Sequence, residues 1–184
     1  MISHEDPKFV FLHLPKNAGS SVTKALARYI GVEREELRYG QNKFIYARNL
    51  HKFVSDTEAY YIFSVIRNPW DRVVSYFHYL QQIRQPPYNL SKNIKFKDWV
   101  KGKGFKGLQT QMSQLSDTFP CNVSTKINYV ARLENLTEEW QAICNGIGIE
   151  CELMHDKKSN HRDIIYRNYK DDVDCLAYYF GDNR

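Results

Sequence analysis

The chain has 184 residues, 42 % of them hydrophobic, with 26 Lys+Arg against 21 Asp+Glu and a net charge of +5; that is the size of one domain with a sizeable core, which excludes a disordered chain. Its longest apolar runs, 9–14 and 60–66, fall far short of the roughly 20 residues that cross a bilayer, so no transmembrane helix is expected. The cations are scattered, not massed, which argues against a duplex nucleic-acid surface and suits a pocket for a small, heavily anionic ligand.

In chain order, Phe9-Val10-Phe11-Leu12-His13-Leu14 reads as a buried strand: short, β-prone, almost wholly apolar and followed by Pro15 and Gly19. Residues 20–30 carry Val22, Ala25 and Leu26 at helical spacing, with Gly31 as the C-terminal stop. A second buried strand spans 60–66. Asn68 follows it as a candidate N-cap, Pro69 suits a first helical turn, and Trp70, Val73, Val74, Phe77 and Leu80 form an apolar helix face. Two strand–turn–helix units imply a mostly parallel sheet covered by helices, with ligands collecting beyond the carboxyl ends of the strands.

From 85 to 119 the pattern is mixed. Pro86-Pro87 breaks the chain, 96–100 predicts a short helix, and Gly102, Gly104 and Gly107 punctuate a basic loop, so this region is expected to be mobile or substrate-facing. A third strand is predicted over 127–133, a helix over 136–147, and a mainly helical closing segment over 164–180 with Tyr166, Tyr169, Val173 and Leu176 inward. The whole chain, 1–184, is expected to form a single domain. Most of the 13 Tyr, 10 Phe and 3 Trp should be core.

The N-terminal hexapeptide, Met1-Ile2-Ser3-His4-Glu5-Asp6, has neither the basic start nor the apolar core of a secretory signal, which predicts a cytoplasmic protein. Cys121, Cys144, Cys151 and Cys175 show no CxxC pair and no His at metal-ligand spacing, and read as free, mostly buried thiols. A Cys144–Cys151 disulfide would require an oxidising compartment. Sequons at Asn89, Asn122 and Asn135 matter only in a secreted protein.

Two segments carry chemistry. Leu14-Pro15-Lys16-Asn17-Ala18-Gly19-Ser20-Ser21 lies between a buried strand and a helix, where consecutive backbone N–H groups and a helix N-terminus converge on one point. Lys16 adds a full charge, and Ser20 and Ser21 add hydroxyl donors; the competing description is an ordinary turn with Lys16 solvated and Ser20 capping the helix. Arg67 stands directly after the second strand, with Ser75 about two helical turns beyond it, so both can reach one phosphate. Against this, Arg67 could pair with Asp71 or Glu134, and Ser75 could be a small helix-packing residue. Taken together, the two segments favour a ligand bearing two separate phosphate groups.

At these residues the chain resembles the sulfotransferases that use 3′-phosphoadenosine 5′-phosphosulfate (PAPS), particularly the carbohydrate-type branch. Residues 11–21, Phe-Leu-His-Leu-Pro-Lys-Asn-Ala-Gly-Ser-Ser, are similar to their 5′-phosphosulfate loop, F-x-H-x-P-K-x-x-G-[ST]-[ST]. Residues 65–76 resemble their 3′-phosphate segment, R-[ND]-P-x-x-R-x-x-S-x-[YF], and 129–136 and 166–169 resemble weaker family blocks. Asn17-Ala18 departs from the Thr or Gly usual after the loop lysine, and the chain is short for the family.

The resemblance implies an α/β, P-loop-kinase-like three-layer fold, with a central mostly parallel sheet flanked by helices. It implies that Lys16 contacts the 5′-phosphate and the sulfate-bridging oxygen, that Asn17, Ala18, Gly19, Ser20 and Ser21 cradle the phosphosulfate, and that Arg67 and Ser75 hold the 3′-phosphate. The expected product nucleotide is adenosine 3′,5′-bisphosphate, the expected acceptor a saccharide hydroxyl, and no metal is required. His51, which precedes the second strand as a His does in that branch, is the expected general base. Asp56, Glu58 and His78 are its rivals, and His13 reads as a core histidine. His161 and Arg162 either close over the nucleotide or lie in a solvated loop. Two other functions stay open: a P-loop nucleotide kinase, although G-x-x-x-x-G-K-[ST] is absent and Lys16 precedes the glycine, and a non-catalytic nucleotide- or glycan-binding module.

Overall fold

A computed structural model describes residues 1–33, 37–39, 47–83, 90–115 and 127–150. They fall into two compact units, one drawn from Met1–Asn68 and Gln109–Met154, the other from Pro69–Leu108.

The first unit is built on a five-stranded sheet of β1 (Ile2–Glu5), β2 (Lys8–Leu12), β3 (Arg38–Tyr39), β4 (Tyr61–Ile66) and β5 (Tyr129–Arg132), in the order β3-β1-β2-β4-β5. The strands β2, β4 and β5 run parallel, with Phe11 opposite Phe63 and Ile66 opposite Arg132. The expected strand over 9–14 thus begins at Lys8 and leaves the sheet after Leu12, two residues early, because Leu14 and Pro15 already belong to the turn. The expectation of a mostly parallel sheet holds for these three strands and is corrected at the edge, where β1 pairs antiparallel with both β2 and β3. Ile2-Ser3-His4-Glu5 carries no strand signal of its own; what holds it is the hairpin that places Glu5 opposite Lys8.

Both faces of the sheet are covered, which is why its strands read as continuous apolar runs. Phe9, Phe11, Phe63, Val65 and Ala131 point to one face and pack on α1 (Gly19–Ile30) and α5 (Leu136–Ile147) through Val22, Leu26, Trp140 and Ile143. The stacked cross-strand pair Phe11–Phe63, with ring centroids 5.1 Å apart, sits at the centre. Val10, Leu12 and Ile62 point the other way, onto Ala47, Leu50, Val54 and Leu115. Ser64, buried on this apolar strand, donates its hydroxyl to the Leu12 carbonyl at 2.8 Å. The helix α1 ends where the sequence places its stop: Gly31 takes φ 76° and returns its N–H to Ala27 at 3.0 Å.

The second unit contains α2 (Pro69–Gln82), α3 (Phe96–Lys101) and a 3-10 turn, Gly104–Gly107. Val74, Phe77 and Leu80 pack with Phe96, Trp99 and Val100, the Phe77 ring lying 5.2 Å from both Phe96 and Trp99. The short helix expected over 96–100 is observed as α3, and its buried residues Phe96, Trp99 and Val100 are the ones that pack on α2. Arg72 is only 3 % exposed, and burial pulls its pKa down to about 10.

One cysteine assignment is corrected: Cys144 is disulfide-bonded, not a free thiol, and its partner lies outside the described residues. The closing helix over 164–180, the 166–169 block, His161, Arg162 and the sequons at Asn89 and Asn122 also lie outside them. Among the described residues no helix is long and apolar enough to cross a membrane.

Candidate active site

Strand pairing puts the carboxyl ends of β2 and β4 side by side, and the two segments singled out from sequence begin there. The turn after β2 holds two non-glycine residues in the left-handed region, Lys16 at φ 69° and Ala18 at φ 56°. Each such residue costs roughly 1–2 kcal/mol, and strain of this kind gathers where backbone N–H groups are turned toward a ligand. Ala18 is also the N-cap of α1; its methyl group cannot accept a hydrogen bond, and the first turn holds no acidic residue. The first turn of this 12-residue helix thus supplies no carboxylate to its positive end.

Gly19 opens α1 because nothing larger fits. A Cβ there would stand 1.7 Å from Nε2 of His13, whose ring is stacked on Phe11 at 5.7 Å. The half-buried His13 ring thus fills the space that a side chain at position 19 would need. Ser20 and Ser21 are exposed on the first turn of α1, and Thr23 donates its hydroxyl to the Gly19 carbonyl at 2.6 Å.

Lys16 and Arg67 are brought together. Nη1 of Arg67 donates to the Lys16 carbonyl at 3.4 Å, and both residues are half-buried. Burial first, and the Arg67 charge second, hold the Lys16 pKa below the ordinary lysine value. Two cations that raise the cost of each other's charge make a site whose electrostatic strain an anion would relieve.

Asn17, between the two strained residues, is 1 % exposed. Its Nδ2 donates to the Val65 carbonyl at 2.8 Å and to Oε1 of Gln111 at 2.6 Å. Gln111 opens α4 (Gln111–Leu115); its Oε1 also accepts the Arg67 N–H at 2.8 Å, and its Nε2 donates to the Arg67 carbonyl at 2.8 Å. The next N–H, that of Asn68, goes to Oε1 of Glu134 at 2.7 Å. Glu134, considered from sequence as an ion-pair partner for Arg67, thus ties down the main chain after it. Gln111 was missed by sequence reasoning: it lies 44 residues from Arg67, and no periodicity or motif distinguishes it from Gln109 and Gln114.

The remaining candidates are placed as follows. His51 lies exposed on a 3-10 helix, Ala47–Lys52, whose Ala47 and Leu50 are anchored in the cluster that contains Leu12 and Leu14. Of its rivals, Asp56 is committed as a helix cap, accepting the Glu58 N–H at 3.1 Å. His78 is half-buried on α2 against Phe77, where burial lowers its pKa. Ser75 is half-buried in α2, in the second unit.

Comparison with curated proteins and with solved structures returned no match. A family model described as the sulfotransferase family matches residues 1–173, nearly the whole length, and the chain belongs to the sulfotransferase family.

Proposed function

We propose that this sulfotransferase takes its sulfuryl group from PAPS and delivers it to a hydroxyl of a saccharide, on a P-loop-kinase-like three-layer fold that forms a single domain over 1–184. The observation that carries the donor assignment is the pairing of Lys16 with Arg67 at neighbouring strand ends, beside a helix whose first turn carries no acidic residue. A donor with phosphates at both ends of its ribose matches two cationic turns better than a nucleotide charged at one end.

In this reading the acceptor oxygen forms a bond to sulfur while the bond between sulfur and the bridging oxygen breaks, and the electron pair leaves on the 5′-phosphate of adenosine 3′,5′-bisphosphate. Lys16 neutralises the charge that grows on the bridging oxygen. The backbone of Asn17 to Ser21 cradles the phosphosulfate, Arg67 and Ser75 hold the 3′-phosphate, and His51 takes the acceptor's proton. Charge on the leaving oxygen exists mainly in the transition state, whereas the 3′-phosphate is bound throughout. Lys16→Ala should therefore lower turnover more than donor affinity, and Arg67→Ala should chiefly weaken the donor. Equal, small effects of both substitutions on PAPS-dependent sulfation would defeat the assignment. The disulfide at Cys144 argues for an oxidising compartment and against the cytoplasmic placement suggested by the N-terminus.

A further inference from the structure

We infer that Gln111 is a positioning residue that locks the two anion-facing turns to each other; the inference rests on the donor reading above and adds a component to the same site. The Gln111 side-chain amide makes with Arg67 the pair of bonds that a neighbouring strand would make, one to its N–H and one to its carbonyl, both at 2.8 Å. Arg67 stands one residue beyond the end of β4, where no strand pairing continues, so this amide replaces the missing partner. The same Oε1 accepts from Asn17 at 2.6 Å, and Asn17 reaches back to the Val65 carbonyl.

One amide thus fixes the main chain that carries Arg67 and the centre of the turn that carries Lys16, through main-chain groups and the Asn17 amide. The lock draws neither charged side chain into its own bonds, which leaves it suited to aiming the ammonium and the guanidinium at two ends of one ligand. Positional errors of about 1 Å at such a site cost on the order of 100-fold in rate. A residue that acts this way should therefore show in turnover and in affinity, not in stability alone.

The test uses the full-length chain and compares wild type with Gln111→Met, which keeps the length of the side chain and removes all three bonds, and with Gln111→Glu, which keeps the two acceptor bonds and serves if the first variant does not fold. Each variant is studied well below its own melting temperature. We expect Gln111→Met to bind adenosine 3′,5′-bisphosphate about tenfold more weakly by calorimetry and to lose a larger factor in kcat with PAPS. A variant that is less heat-stable but keeps wild-type affinity and kcat would overturn the inference. Amide hydrogen exchange without nucleotide gives an independent readout: the Arg67 N–H should exchange at least tenfold faster in Gln111→Met, and exchange over 14–18 should rise with it. Unchanged exchange in both turns would also overturn the inference. If wild type fails to bind the bisphosphate while both turns respond in exchange, the donor reading falls and the lock remains.

Discussion

Placing a methyl group on Gly19 tests how the turn is built. An added Cβ would meet the His13 imidazole at 1.7 Å from Nε2, 1.9 Å from Cδ2 and 2.4 Å from Cε1, all deep inside contact distance. Either the ring swings away or the start of α1 shifts. If the ring moves, it forfeits its near-parallel stack on Phe11, at 5.7 Å and 11°, an interaction of about 0.5–1.5 kcal/mol. If it stays, overpacking costs about 1–3 kcal/mol. In a chain of this size 1 kcal/mol moves the melting temperature by roughly 2–4 °C, so Gly19→Ala should melt roughly 1–12 °C lower by circular dichroism. His13→Ala should destabilise for its own reason, the lost ring. The double variant should then lose less than the sum of the two, because the space left by the ring accommodates the methyl. A Gly19→Ala protein that melts with wild type, or strict additivity in the cycle, would refute this account of the turn.

Ala18→Gly should raise the melting temperature: relief of the left-handed strain at Ala18, about 1–2 kcal/mol, outweighs the added freedom of the unfolded chain, about 0.4–1 kcal/mol, and a lower melting temperature would contradict it. Lys16 binds protons less readily folded than unfolded, so its charge works against folding at neutral pH, and that penalty fades as pH rises through its lowered pKa toward the ordinary lysine value. Lys16→Met should therefore be more heat-stable than wild type at neutral pH, with the gap closing at alkaline pH; a gap that does not vary with pH would count against the burial of that charge. Calorimetry should likewise show bisphosphate affinity falling as pH rises through the same lowered value. Reduction of the disulfide at Cys144 should cost about 2–4 kcal/mol in thermal unfolding, and alkylation of Cys144 without reductant would contradict the bond.

Much of the first unit was legible in the sequence because its signals are local. Leu136–Ile147 begins and ends at the residues expected from sequence, and the helix after β2 differs from expectation only by the inclusion of Gly19. The strand Ile2–Glu5 was not legible, since it is stabilised by the hydrogen bonds of its two neighbours and not by its own pattern. Cys144 was misread for a similar reason: pairing depends on geometry that spacing does not encode. Lys16 and Arg67, which the structure brings together, stood out in the sequence because cations after buried strands are conspicuous. Gln111 was not singled out, and Glu134 was considered only as an ion-pair partner of the Arg67 side chain, because both bind main chain, of Arg67 and of Asn68, a role that residue type does not reveal in sequence.

The most direct measurement is a thermal-shift comparison of the wild-type chain with adenosine 3′,5′-bisphosphate, ATP and AMP, since a ligand that prefers the folded state raises its apparent stability. The bisphosphate should give the largest upward shift, and Arg67→Ala should remove most of it. Stabilisation by ATP with none by the bisphosphate would contradict a site made for a nucleotide with phosphates at both ends of its ribose.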